Sequence, residues 1–246
     1  MATENEKVAI VTGASRGIGA AIAQRLGADG FTVVVNYAGN AVEAEDLVRT
    51  IEEAGGKALS AQADVSDAKA VARLWDAAEA AFGGVDVLVN NAGVMLLAPL
   101  AEVEDEVVDR QIAINLKGPI NMLRLASQRM REGGRIINLS SSVVGLYQPT
   151  YAVYAATKAG VEAITHVLSR ELRGRNITVN AVAPGPTATA LFFDGKPQTV
   201  IDEFTKLAPL ERLGRPADAA NAVAFLAGPD GAWINGQVLR ANGGII

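Results

Sequence analysis

The 246-residue chain contains no cysteine. That excludes disulfides, thiolate metal sites and a cysteine nucleophile. Histidine occurs once, at His166, which argues against a histidine-rich metal site. No apolar run approaches the ~20 residues that a membrane-spanning helix needs, so no membrane association is expected. The first residues, Met-Ala-Thr-Glu-Asn-Glu-Lys, are polar and carry no signal-peptide core. Positive charge is not in excess either. The net charge is −5, which gives no reason to expect nucleic acid as a partner. A cytoplasmic location is the expectation. What is present is 50% hydrophobic and 20% charged, as in a soluble globular protein. The length suffices for a sizeable core. No composition shift, tandem repeat or low-complexity tract marks a boundary, so one domain over residues 1–246 is the economical reading.

Residues 7 to 19, Lys-Val-Ala-Ile-Val-Thr-Gly-Ala-Ser-Arg-Gly-Ile-Gly, organise the rest. Val8 to Val11 suit a strand buried on both faces. Glycines follow at 13, 17 and 19. From Ile18 the pattern turns helical, with Ile18, Ile22 and Leu26 at spacing four. Glycine permits a sharp turn and a close approach of phosphate to the main chain. The N–H groups and positive dipole end of the following helix favour an anion. Strand, glycine turn and helix therefore read as a pyrophosphate cradle. The spacing is G-x-x-x-G-x-G rather than G-x-G-x-x-G, and a glycine-rich turn in an ordinary α/β domain is the alternative.

Apolar runs and helical patterns alternate along the chain. Strands are expected at Phe31 to Val35, Lys57 to Ala61, Val85 to Val89, Arg135 to Leu139, Ile177 to Ala181 and Gln237 to Arg240. Helices are expected at Ala41 to Ala54, Asp67 to Phe82 with Ser66 as N-cap, Tyr151 to Leu172 and Pro216 to Leu226. A long helical stretch from about Glu104 to Met130 is expected to break near Gly118-Pro119. This alternation implies an α/β fold: a doubly wound Rossmann domain with a seven-stranded parallel sheet and helices on both faces. Ligands bind at the carboxyl ends of such strands. Those ends are Thr12-Gly13, Asn36-Tyr37, Asp64-Val65, Asn90 to Gly93, Ser140 to Ser142 and Pro184 to Pro186.

Tyr154 and Lys158 lie four residues apart on a predicted helix and share one face. A free tyrosine, with a pKa of about 10, is a poor acid–base group near neutrality. A neighbouring ammonium favours the phenolate and is expected to lower that pKa. Such a tyrosine is useful as a proton donor to a developing alkoxide. Tyr and Lys at this spacing also occur on amphipathic helices with no catalytic role.

The joint pattern resembles the short-chain dehydrogenase/reductase family. It is carried by Thr12-Gly13-Ala14-Ser15-Arg16-Gly17-Ile18-Gly19, Asn90-Asn91-Ala92-Gly93, Asn115, the serines after the fifth strand, Tyr154-Ala155-Ala156-Thr157-Lys158 and Asn180-Ala181-Val182-Ala183-Pro184-Gly185. Asn235-Gly236-Gln237 and Asn242-Gly243-Gly244 also fit. The resemblance covers residues 7–246 and is greatest to 3-oxoacyl-[acyl-carrier-protein] reductases and NADPH-dependent aldehyde and ketone reductases.

The resemblance implies that Tyr154 donates a proton to a carbonyl oxygen, and that Lys158 lowers its pKa and holds the nicotinamide ribose. Asn115 would support a water chain that returns the proton, and a serine hydroxyl would orient the carbonyl. Counting thirteen residues back from Tyr154 gives Ser141, as does register from Arg135. Alignment on Val143-Val144-Gly145 gives Ser142. Strand alternation favours Ser141, with Ser140 turned away onto backbone. Gly13, Ser15, Arg16, Gly17, Ile18 and Gly19 would cradle the pyrophosphate. Asn91, Ala92 and Gly93 would lie along the adenosine ribose, and Asp64 and Val65 against the adenine. Pro184, Gly185, Thr187 and Thr189 would hold the nicotinamide carboxamide.

At the end of the second strand, an NAD-specific domain often has an acidic residue for the ribose. Here Asn36, Tyr37 and Ala38 stand there, with no carboxylate before Glu43. Arg16 could match a 2′-phosphate. NADPH/NADP+ is therefore the expected cofactor, with no metal. Residues 188 to 210 resemble the family's variable substrate loop, in which Leu191, Phe192 and Phe193 form an apolar wall or close against the core. Trp75 and Trp233 are read as packing residues and His166 as structural or interfacial. Arg129, Arg131, Arg173 and Arg175 face an acyl carrier protein or are solvated helix ends. The expected reaction is reduction of a ketone, aldehyde or 3-oxoacyl group. The alternatives are an NAD-dependent alcohol or hydroxysteroid-type dehydrogenase, an epimerase or dehydratase, and a non-enzymatic nucleotide-sensing module. A homotetramer is implied, pairing through the helices at about 104 to 130 and 151 to 172, with Gly243 to Ile246 suited to a second interface.

Overall fold

The computed structural model describes residues 7–246. In chain order the elements are β1 (Val8–Val11), α1 (Gly17–Ala28), β2 (Thr32–Tyr37), α2 (Ala41–Glu53), β3 (Lys57–Gln62), α3 (Ala68–Phe82) and β4 (Val87–Asn90). Then come α4 (Asp105–Ile112), a π-helical turn (Ala113–Lys117), α5 (Gly118–Arg129), β5 (Arg135–Leu139), α6 (Val143–Leu146), α7 (Ala152–Glu171) and β6 (Thr178–Pro184). The chain ends with α8 (Ala190–Phe193), α9 (Gln198–Leu207), α10 (Pro216–Ala227) and β7 (Val238–Ala241). The seven strands form one sheet in the order β3-β2-β1-β4-β5-β6-β7, and every pairing is parallel. This is the doubly wound Rossmann arrangement that the alternation predicts. No described helix is long and apolar enough to cross a membrane.

Side chains alternate across a strand, so each central strand feeds two cores. Ala9 and Val11 face one side with Val33, Val35 and Val89, where Ile22 and Leu26 of α1, Leu47 of α2 and Val223 of α10 cover them. Val8 and Ile10 face the other with Val34 and Leu88, beneath Leu74 and Trp75 of α3, Met122 of α5 and Leu168 of α7. Trp75 is fully buried as expected, whereas Trp233 is 99% exposed and packs against nothing in the described chain.

Two local expectations need correction. Asp67, not Ser66, caps α3: its Oδ1 accepts the Lys69 N–H at 2.8 Å, while Ser66 bonds back to Asp64. The helix begins at Ala68, so Asp67 rather than Ser66 occupies the N-cap position and its carboxylate accepts a first-turn amide. The long helical stretch does not break at Gly118-Pro119. It passes through the π-helical turn, and Pro119 falls in the first turn of α5, where a missing N–H is tolerated. At the far end of the chain, the C-terminal residues fold back onto α6: a Cβ at Gly145 would lie 2.4 Å from Ile246 Cδ1.

Leu26 is fully buried where α1 lies on the sheet. Leu26→Ala is expected to cost about 2–5 kcal/mol. A lower urea midpoint at unchanged slope would register it, and an unchanged midpoint would contradict this packing.

Candidate active site

The carboxyl ends of β1 and β4 meet where the sheet reverses its winding. Thr12 is buried there, and its Oγ1 accepts the N–H groups of Asn91 at 3.0 Å and Ala92 at 3.1 Å. Asn91 Nδ2 donates to the carbonyls of Thr12 at 2.9 Å and Gly13 at 3.0 Å. Asn36 is buried, and its Oδ1 accepts the Gly13 N–H at 3.3 Å while its Nδ2 donates to Ala61 and Ala63. Asn36 and Asn91 thus spend their side chains bracing the glycine turn. Thr12 does not stand out as a site residue in the sequence, although its place at the strand end is the signal that marks it.

Gly13 and Gly17 have φ of 59° and 58°, the left-handed region that glycine enters without strain. At Gly19 a Cβ would lie 2.4 Å from the Gly13 carbonyl oxygen. Arg16 precedes α1 without capping it through its side chain, so the first N–H groups of the helix open into the adjoining groove. That groove encloses about 590 Å³ and is lined by Ser15, Arg16, Ile18, Tyr37, Ala38 and Ala92, among others. Asp64, Val65 and Gly93 line it too. Val65 is fixed from behind by Asn121, whose Nδ2 donates to the Val65 carbonyl at 2.9 Å. The glycine cradle and uncapped helix end fit a dinucleotide diphosphate. Glu43 also lines the groove, and its Oε2 is buried without a partner.

Next to the groove lies a pocket of about 130 Å³. It holds Tyr154, the three serines, Pro184, Gly185, Thr187 and Thr189. The serines separate by their partners. Ser140 Oγ donates to Glu162 Oε1 at 2.6 Å, a side chain rather than the backbone expected. Ser142 is buried; its Oγ donates to the Ala183 carbonyl at 3.4 Å and accepts from Asn242 Nδ2 at 3.1 Å. Only Ser141 acts on Tyr154, and its hydrogen bond draws the phenol pKa down. Ser142, the other candidate for orienting the carbonyl, has its hydroxyl engaged by Ala183 and Asn242; the three serines follow the end of β5 at Leu139 rather than lying in the strand. Thr189 Oγ1 accepts the Phe192 N–H at 3.3 Å and starts α8. Thr187 Oγ1 donates to the Gly185 carbonyl at 2.9 Å.

Lys158 is buried, and its Nζ donates to the Leu139 carbonyl at 2.8 Å. It lies 5.7 Å from the centre of the Tyr154 ring. Burial pushes its pKa down to about 8. Burial also pushes Tyr154 up to about 12, opposed by the Ser141 hydrogen bond and reinforced by Tyr151. The phenol is therefore held protonated, and the expected lowering by Lys158 is not found. The ammonium is engaged by a carbonyl, and loss of water dominates both groups. Asn115 sits in the π-helical turn, fully buried. Its Oδ1 accepts the Val94 N–H and its Nδ2 donates to the Val94 carbonyl, both at 2.8 Å. A Cβ at Gly93 would lie 3.3 Å from Asn115 Oδ1 and 3.8 Å from Lys158 Nζ. Those three residues converge behind Tyr154.

Other candidates lie elsewhere. Arg129 pairs with Glu79 and Asp76, and Arg131 with Asp86 at 2.8 Å. Arg175 donates to the Ser127 and Met130 carbonyls. These sit at the amino ends of β4 and β5, the rim opposite the site. His166 Nδ1 is 2.9 Å from the Gly236 carbonyl, a structural contact. No group of acidic or histidine residues among those described could hold a metal ion.

Comparison with known proteins bears on the family and the fold. The family described as Enoyl-(Acyl carrier protein) reductase matches residues 13–246. A short-chain type dehydrogenase/reductase of Picea abies is 46% identical over 97% of this chain and 92% of its own. An NADPH-dependent aldehyde reductase-like chloroplastic protein of Arabidopsis thaliana is 41% identical over 98% of this chain and 94% of its own. Among solved structures, a dehydrogenase/reductase from Sinorhizobium meliloti superposes with a TM-score of 0.93 at 39% identity, covering 97% of this chain and 94% of that one. An angucycline C-6 ketoreductase with bound NADP gives 0.92 at 39% identity, covering 97% and 95%.

The buried lysine has a stability consequence with a definite sign. Its native pKa of about 8 lies below the ordinary 10.5. Between those values the unfolded chain holds the proton that the native chain has released, so stability rises with pH across that window. Relative to Lys158→Met, the wild type should gain about 3 kcal/mol between pH 8 and pH 10.5. Urea midpoints of both proteins at the two pH values measure it; a constant difference would contradict the depressed pKa.

Proposed function

Because the chain belongs to the short-chain dehydrogenase/reductase family, an oxidoreductase family, we propose that it reduces an uncharged ketone, aldehyde or 3-oxoacyl carbonyl to an alcohol with NADPH. The convergence of Tyr154 and Ser141 on one pocket, with Lys158 and Asn115 behind it and the diphosphate-sized groove beside it, carries this reading. The nicotinamide, when bound, supplies the hydride. Ser141 and Tyr154 then place two hydroxyls where the carbonyl oxygen gathers charge, and donors fixed in advance stabilise that charge most. A phenol kept neutral up to about pH 12 holds its proton until an alkoxide forms to take it. Lys158 would hold the ribose hydroxyls and, with Asn115 and Thr157 behind it, would offer a polar route by which a replacement proton reaches the Tyr154 phenolate.

Arg16 supports the choice of NADPH. It is exposed at the mouth of the groove, where Tyr37, Ala38 and Asn40 are uncharged and the carboxylates that line the groove are those of Glu43 and Asp64, so the Arg16 charge is what favours a 2′-phosphate. A homotetramer suits the apolar side chains left exposed at Ile112, Ile120 and Val167 on one side and at Phe225, Trp233 and Leu239 on another.

Tyr154→Phe should lower kcat by about 10²–10⁴-fold with cofactor binding retained, and Ser141→Ala by roughly 10²-fold. Ser142→Ala should stay within a few-fold. The measurement is NADPH oxidation with an aryl ketone and an acetoacetyl thioester; equal losses at the two serines would sink the assignment. Arg16→Ala should raise the KM for NADPH about 10–100-fold, the worth of a charge-assisted hydrogen bond, and leave that for NADH unchanged. An equal rise for both would make Arg16 a solvated loop charge.

A further inference from the structure

The pocket beside Tyr154 is lined by no charged side chain among the described residues. Its walls are Met95, Leu146, Leu191, Phe192 and Phe204, with Phe192 and Phe204 edge to face at 5.6 Å. Beyond the serines and Tyr154, two polar side chains project from the segment that leads into α7: Tyr151 and Gln148. Tyr151 immediately precedes α7, one turn before Tyr154, and their rings meet edge to face at 6.4 Å. Neither the Tyr151 phenol nor the Gln148 amide is committed to a hydrogen bond within the described residues. Burial raises the Tyr151 pKa, so the phenol is a neutral donor at ordinary pH. A polar group that lines an apolar pocket without a partner selects for a ligand that supplies one.

We propose that Tyr151, with Gln148 beside it, hydrogen-bonds a second oxygen of the substrate. The preferred substrate is then an uncharged ketone with a carbonyl, ester or hydroxyl oxygen close to the reacting carbonyl and an apolar remainder against the phenylalanines. This rests on the reductase reading above and specifies its substrate. Tyr151 acts on affinity and orientation, whereas proton donation stays with Tyr154. A monofunctional ketone leaves Tyr151 unpaired and gains nothing from it.

The test compares ethyl acetoacetate with 2-hexanone in the wild type, Tyr151→Phe and Gln148→Met, with NADPH saturating. In Tyr151→Phe the ratio of kcat/KM for the ketoester to that for the ketone should fall about ten-fold, the worth of one neutral hydrogen bond. Most of the change should lie in KM, with the 2-hexanone constants unmoved. Gln148→Met should give a smaller fall of the same kind. An unchanged ratio, or parallel losses for both substrates, would overturn the assignment while leaving the reductase reading intact. A wild type that reduces neither compound would overturn the reductase reading, and this assignment with it.

Discussion

The site depends on how closely the carboxyl ends of β1 and β4 approach. A Cβ at Gly13 would come within 2.8 Å of the Ala92 main chain, and one at Gly19 within 2.5 Å of the Asn91 amide. At Gly13 backbone meets backbone, and at Gly19 the bracing Asn91 amide fills the space a side chain would need. Thr12, Asn36 and Asn91 stitch the contact with five hydrogen bonds from side chains that sit on three strand ends. Because the sheet changes its winding direction at this point, the neighbouring connections diverge and leave the groove between them. Groove, diphosphate cradle and the path to Tyr154 all derive from one tight junction.

Burial supplies the chemistry at the other end. Tyr154 and Lys158 both lose water, and both move toward their neutral forms, up to about 12 and down to about 8. A cation that is costly to keep charged is unfavourable for the fold alone, whereas the phenol stays neutral at ordinary pH. Lys158 is retained in this state by one carbonyl, that of Leu139. Destabilised groups of this kind are expected where structure has been given over to function.

Much of this was legible in the sequence, because parallel strands buried on both faces read as continuous apolar runs and because glycines mark the turn. The seven strands, their order of alternation and the pairing of Tyr154 with Lys158 came through on pattern alone. Two kinds of fact did not. Exposure at Trp233 and the ion pairs of Arg129 and Arg131 depend on residues distant in the chain. The direction of the Tyr154 pKa depends on the balance between burial and a lysine that turns to a carbonyl, which spacing cannot reveal. Ser141 and Ser142 were separable only in part: alternation favoured Ser141, and the partners Ala183 and Asn242 show where Ser142 goes.

The π-helical turn at Ala113–Lys117 has a consequence of a different sort. A helix advances about 100° per residue, so one surplus residue sets a phase shift between α4 on its near side and α5 on its far side. Upstream, Gln111 is fully buried; within the turn, Asn115 points to Val94; downstream, Met122 and Ala126 face the core. All three orientations hold only at this residue count. Substitutions along this segment are graded in effect, but a single deletion here would impose a choice between expelling Asn115 from the site and turning α5 out of the core. The length of this helix is thus as much a part of the site as any side chain on it.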